Sequence, residues 1–315
     1  MQDDLEQQDF VYAIAVSPEF EQDGLCFAGR RSGLFRSQDG GNTWEDAYAS
    51  LNLPEALTTP CVLVSPEFAS DHMVLAGVSG GILRSSDAGR NWQAAAVPAP
   101  PPVISCLVAS PNYVQDGTLF AGTMEDGVLR STDRGSRWQR WNFGLLDLTV
   151  LCMAISPDFG RDDTLYVGTD TGIFRSTNGG RAWREVNFPT DLAPVLSLAI
   201  SPGYPQDGCL WAGTESHGLF VTHDWGESWE RLAPDAIDDM VNSLQVTALS
   251  PLELQLVALL NHRLLVSPDG GHTWSDGLHS LPAGAGLSAL AAPRGLVPGA
   301  PLLIGLDDGR VLRIR

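Results

Sequence analysis

Two sets of charged residues in this sequence have types suited to chemistry. Asp170, Glu215 and Asp307 are carboxylates in short turn-like segments, Thr169-Asp-Thr171, Thr214-Glu-Ser-His217 and Leu306-Asp-Asp-Gly-Arg310. Two facing carboxyl groups are what glycosidic cleavage needs, one as acid and one as base or nucleophile. Arg30, Arg31, Arg263 and Arg310, with His262 beside Arg263, fall in segments of the same kind. Convergent guanidinium groups suit a carboxylate, sulfate or phosphate ligand, through forked charged hydrogen bonds. The plainer reading of both sets is solvated turn residues, as charged residues in turns mostly are.

The elements that must hold these turns recur. The phrase S/T-x-D-x-G-x-x-W begins at Ser37, Ser85, Ser131, Ser176, Thr222 and Ser267, at intervals of 48, 46, 45, 46 and 45 residues. Self-similarity at this period marks a repeat architecture. The Asp can accept hydrogen bonds from N–H groups further along its turn. The Gly supplies a positive φ that a side chain would resist. The Trp opens the next strand and offers a broad surface to wedge between neighbouring units. Six copies of the Asp argue for turn chemistry over metal ligation or acid catalysis. Asn178 replaces it in the fourth copy, which a turn tolerates.

Each unit reads as four strands. In the fourth, 150–156 is apolar, 164–168 alternates and ends at Gly168, 173–176 precedes the box, and 183–186 follows it. The units cover about 10–50, 60–98, 103–143, 149–188, 195–233 and 241–278. A last stretch, 286–315, carries only three strands, while residues 2–9 precede the first inner strand without a place in their own unit. Adding 2–9 to the last sheet completes it and leaves no open edge. The expectation is an all-β, seven-bladed β-propeller of four-stranded antiparallel blades, one domain over residues 1–315, closed by its N-terminal strand.

Composition excludes several classes. All 19 basic residues are Arg, which removes lysine Schiff-base chemistry and a Walker-type phosphate loop. A net charge of −19 disfavours nucleic acid and anionic membranes, which reward positive surfaces. The five Cys residues include no CxxC pair, so neither a zinc site nor a disulfide framework is signalled, and no cofactor motif appears. Cys61, Cys106 and Cys152 occupy a small-residue slot near the axis that Ala13, Ser197 and Ser288 fill elsewhere. No run reaches a membrane span, and the acidic start, Met1-Gln-Asp-Asp-Leu-Glu, is unlike a signal peptide, giving the expectation of a cytoplasmic monomer.

Arg36, Arg84, Arg130 and Arg175 each precede a box, and Asp23, Asp71, Asp116 and Asp162 end the first turn of the same units. A repeated ion pair within each unit accounts for both. The Pro-rich linkers between units, such as Ala96-Val-Pro-Ala-Pro-Pro-Pro102, vary most, and variation on a repeated scaffold is where specificity usually resides.

The boxes resemble the Asp-box (BNR) repeats of sialidases, the sortilin/Vps10 group, xyloglucanase-type glycoside hydrolases and Ycf48-like photosystem II assembly factors. The resemblance covers essentially the whole chain and implies the propeller fold, with box loops opposite the usual ligand face. That face then holds the turns between second and third strands and the linkers. Units three to five supply Glu125, Asp126, Asp170 and Glu215 there, and units six, seven and one supply the Arg set. The Phe/Tyr-Arg-Ile-Pro motif of sialidases is absent. The expected function is a non-catalytic binding or assembly module for a protein or an anionic or carbohydrate ligand, with Arg30, Arg31, His262, Arg263 and Arg310 as contacts. The alternative is an Asp-box glycoside hydrolase using two of Asp170, Glu215 and Asp307.

Overall fold

The computed structural model describes residues 8–250, 253–278, 286–297 and 299–314. Its strands form seven antiparallel sheets taken in chain order: six contain four strands, and the seventh contains three described strands. The innermost strands are Val11–Val16, Cys61–Val64, Ile104–Ala109, Val150–Ile155, Val195–Ile200, Val241–Ser250 and Leu287–Ala291. That of blade one packs on those of blades two and seven, so the sheets close into a ring. The chain is a seven-bladed β-propeller.

Burial follows from the ring. Second strands such as Leu165–Thr169 and Leu210–Thr214 are buried along their whole length, because neighbouring blades cover both faces. Their residues are accordingly apolar or small rather than alternating. Outermost strands such as Arg184–Glu185 are two residues long and exposed. The core is a set of clusters between adjacent blades, most of them holding a box tryptophan. Trp92 joins Phe27 and Tyr48 of blade one, Trp138 joins Leu75 of blade two, and Trp183 joins Phe120 of blade three. The Trp92 indole N–H also donates to the Ala47 carbonyl of blade one at 2.9 Å. The expected wedge is therefore present.

The box turn closes as its residue types dictate. Asp39 Oδ1 accepts the N–H groups of Asn42 and Thr43 at 3.0 and 2.9 Å and the Ser37 hydroxyl at 2.8 Å. In the fourth copy Asn178 Oδ1 takes the Ala182 N–H at 2.9 Å in the same way. The box glycine, at φ +89° in Gly41 and +80° in Gly135, lies so close to the preceding blade that a Cβ would touch Leu303 or Leu75 at 3.0 Å.

Three expectations need correction or fall elsewhere. The repeated Arg–Asp pair within a unit does not form. Asp23, Asp71, Asp116, Asp162 and Asp207 instead accept the hydroxyl of a serine six residues earlier, at 2.6–2.7 Å. They brace a single helical turn, as in Phe159–Asp162. The arginines reach outward: Arg84 Nε, Arg130 Nη1 and Arg175 Nη1 donate to the backbone carbonyls of Arg134, Gly179 and Trp225 in the next blade. A long side chain on a third strand is nearer the neighbouring box than its own inner turn.

The small-residue slot holds at Cys61, Cys106, Cys152 and Ser197, which face Gly77, Gly122, Gly168 and Gly213. In blade seven it falls on Ala289, opposite Gly305: the bulge between Leu287 and Ala289 matches those between Val150 and Cys152 and between Val195 and Ser197, so Ser288 stands one residue out of register with the slot. The expected clasp by residues 2–9 lies mostly outside the described residues. Asp9 is described, and a Cβ on Gly309 of blade seven would meet its carbonyl oxygen at 2.7 Å.

Candidate functional site

The two ends of the ring differ in origin. Box turns and the short helices share one face, since the N–H groups of Gly40, Ala88 and Gly179 donate to Gly24, His72 and Asp163 at 2.8–2.9 Å. The other face is built from the turns between second and third strands and from the inter-blade linkers. There Thr59 N–H donates to the Arg30 carbonyl, Met124 to Val103, Glu215 to Pro194 and Asp307 to Gly286, each at 3.0 Å. Every candidate residue predicted from sequence stands on this linker face, on turns pinned by the linker that follows or precedes them.

The carboxylates are spread around it. Asp170 and Glu215, in adjacent blades four and five, are exposed, and Asp307 is half-buried three blades beyond Asp170. Asp126 is drawn aside by Arg140 at 3.2 Å, and its backbone carbonyl accepts the Asn142 amide. Asp147, in the linker before blade four, takes the Thr171 N–H and hydroxyl at 3.0 and 2.8 Å. Burial opposes its charge, yet these bonds and that from Thr149 hold its carboxyl below the usual range. Sequence reasoning overlooked Asp147; its place four residues past an exposed Phe143-Gly pair was the available signal.

The basic set is partly engaged already. Arg310 pairs with Asp308 at 2.6 Å and Arg263 with Asp276 at 3.1 Å, both at exposed positions. Arg30 stacks over the Phe35 ring at 4.2 Å from its centroid and near Trp44 at 5.7 Å. Burial lowers its pKa, and the nearby Asp9 carboxylate acts against that. Arg31 is half-buried, with its carbonyl accepting the Thr58 hydroxyl at 3.0 Å. His262 is exposed beside Arg263. The structure thus places these residues on one side of one face while assigning two of them carboxylate partners.

Apolar side chains add a feature that the charge pattern hid. Val103, Met124 and Leu148 are each more than a third exposed, and their backbone segments are joined at blade three, where Met124 and Gly127 N–H groups bond to Val103 and Leu148 carbonyls. Trp141 is not an open platform, because Arg130 covers its ring at 4.3 Å. Among the described residues no group of His, Cys, Asp and Glu is arranged to hold a metal ion. No described helix is long and apolar enough to cross a membrane.

No protein-family model and no curated protein matches the chain. Solved structures do. The extracellular domain assigned to a one component system from B. thetaiotaomicron superposes with a TM-score of 0.72 at 16% identity, over 98% of this chain and 39% of that one. An ancestral GH74 enzyme gives a TM-score of 0.76 at 15% identity, over 98% of this chain and 45% of that enzyme. Ycf48 bound to D1 peptide gives 0.70 at 18% identity, over 98% of this chain and 92% of that one. The chain thus spans less than half the length of the first two chains and nearly all of the Ycf48 chain. At identities this low the superpositions show a shared fold and nothing finer.

Proposed function

We propose that the chain is an Asp-box propeller that binds or assembles a partner without catalysis, holding a protein segment or an anionic group on its linker face. The observation that carries this reading is the composition of that face. Rigid turns present exposed Val103, Met124 and Leu148 at blade three, carboxylates on blades three to five, and guanidinium groups on blades six, seven and one. An apolar patch flanked by separate charges of both signs suits an extended peptide better than a reaction centre. The end-to-end likeness to a single propeller bound to a peptide supports the same reading.

The hydrolase alternative requires two of Asp170, Glu215 and Asp307 to flank one sugar linkage about 5–10 Å apart. Asp307 stands three blades from Asp170, which leaves the exposed pair Asp170 and Glu215. The test is a capture from host extract with wild-type protein, Met124→Ser and Arg31→Glu, alongside chromogenic glycosides with Glu215→Gln. Retention of the same partner that weakens in both linker-face variants supports binding. Glycoside turnover lost in Glu215→Gln, with no variant-dependent partner, overturns it.

A further inference from the structure

A cleft of about 890 Å³ opens between blades four and five, its wall running from the box residues Asn178 and Trp225 along the outer strand at Arg184 to Phe188. Small-molecule sites occupy roughly 300–1,000 Å³. Three features of its wall are unusual for this molecule.

The first is a doubled charge. Arg175 and Arg184 are cross-strand partners on the two outer strands of blade four, and both line the cleft. Like charges directly opposite one another destabilise a sheet. The same pair of positions elsewhere holds Arg36 with Glu45, Arg84 with Gln93, Arg130 with Gln139 and Val221 with Glu230. In blade one that pair is an ion pair at 2.7 Å. Among the described residues neither Arg175 nor Arg184 makes an ion pair. Glu185 and Glu227 line the same cleft, but neither stands within ion-pair distance of the two guanidinium groups, which keep each other as cross-strand neighbours.

The second is the opposite wall. Trp225 lines the cleft, is 39% exposed and adopts a left-handed φ of 59°. The equivalent box positions hold Gly40, Ala88, Arg134, Gly179 and Gly270. A large aromatic side chain at such a φ is a strained choice, and strain of this kind gathers at ligand sites. Its carbonyl is fixed by the Tyr166 hydroxyl at 2.9 Å and by Arg175 Nη1 at 3.4 Å, so platform and charge are mechanically linked. The third is a pair of side-chain amides, Asn178 and Asn187, on the blade-four wall beside the arginines, the latter donating across the cleft to the Glu227 carbonyl at 3.0 Å.

We infer that this cleft binds a small organic anion, with its oxyanion head between Arg175 and Arg184 and its flat ring against Trp225. Guanidinium forks are suited to carboxylate, sulfate and phosphate oxygens. An indole face adds contact area to any ring laid upon it. The ring is a sugar or an aromatic system, and the amides suit hydroxyl or carbonyl groups on its edge.

Titration calorimetry with inorganic sulfate, sodium galacturonate and sodium benzoate separates the head from the two kinds of ring. One of the ring anions is expected to bind at least tenfold more tightly than sulfate. Arg184→Gln is expected to weaken it about tenfold. Trp225→Gly, which relieves the strained backbone and so keeps the fold, is expected to reduce it to the level of sulfate without lowering the melting temperature. Absence of saturable binding by both ring anions overturns the inference, as does an affinity indifferent to both substitutions. A ring anion no tighter than sulfate removes the role of Trp225. Because neither Arg184 nor Trp225 belongs to the turns that carry Met124 and Arg31, the outcome is distinguishable from partner capture by the linker face.

Discussion

Arg313 Nη1 donates to the backbone carbonyl of Asp39 at 3.1 Å, joining residues 274 positions apart. The contact repeats, across the ends of the chain, the link that Arg130 makes to Gly179 one blade further on. Ring closure thereby uses the same kind of contact as the junctions from blade two to blade five. Leu303 of blade seven packs beside it, touching the space above Gly41. Replacement of Arg313 by Ala is expected to cost about 1 kcal/mol, the usual net worth of such a bond. Thermal unfolding monitored by circular dichroism should show a fall of about 2 °C, and Arg130→Ala a similar one.

Acid should loosen the boxes. Asp39 is held at about 2, first by the Thr43 N–H and then by its hydroxyl, and Asp224 at about 2, first by the Ser228 hydroxyl. Burial opposes the charge at Asp87 and Asp269, yet hydrogen bonds from Asn91 and Thr273 bring these also to about 2. A carboxylate depressed from 3.8 contributes stability above that pH and loses it as pH falls towards 2. Melting temperature is therefore expected to be flat above pH 5 and to decline progressively below pH 4. Asp39→Asn, which mimics Asn178, should blunt that decline and cost less at pH 7 than Asp39→Ala. Equal losses for the two substitutions would show that the charge, not the turn geometry, matters.

The thiols should be silent. Burial raises Cys26 and Cys209 to about 12 and Cys106 to about 11, and pushes Cys61 and Cys152 well above the ordinary thiol range. The thiolate is the reactive form. Ellman's reagent at pH 8 is expected to leave the native protein unlabelled and to count five thiols after denaturation. Rapid labelling of one in the native state would refute the packing described around the axis.

Close approach at the axis makes one substitution expensive. A Cβ on Gly77 would stand 2.4 Å from Cys61 Sγ and 2.6 Å from Ile104 of blade three. Real Cβ atoms do not come so near, so Gly77→Ala must shift the inner strands of two blades. The expected destabilisation is about 1–3 kcal/mol, read by chemical denaturation. Gly77→Ala combined with Cys61→Ala should recover part of it, since the second change removes one of the colliding atoms.

Much of this architecture was legible along the chain because a box is a local object. Ser37, Asp39, Gly41 and Trp44 lie within eight residues, and their hydrogen bonds and positive φ depend on near neighbours alone. Repetition of that local object at one period implies the ring. The Arg–Asp pairing was misread because Arg84, Arg130 and Arg175 act between blades, where partners are separated by about one whole repeat. The doubled charge of Arg175 and Arg184 was equally hidden: nine residues separate them, and only the register of the two outer strands sets them opposite.

Residue types and spacing by themselves determined the blade, its number and the two kinds of turn that end it. Folding alone decided which charged groups are already paired, as Arg310 is with Asp308 and Arg263 with Asp276, and which are set opposite a like charge, as Arg175 is to Arg184 beside Trp225. The reason is distance. Turn chemistry is written within a few residues, whereas the potential at any one side chain sums over neighbours that only the closed ring brings together.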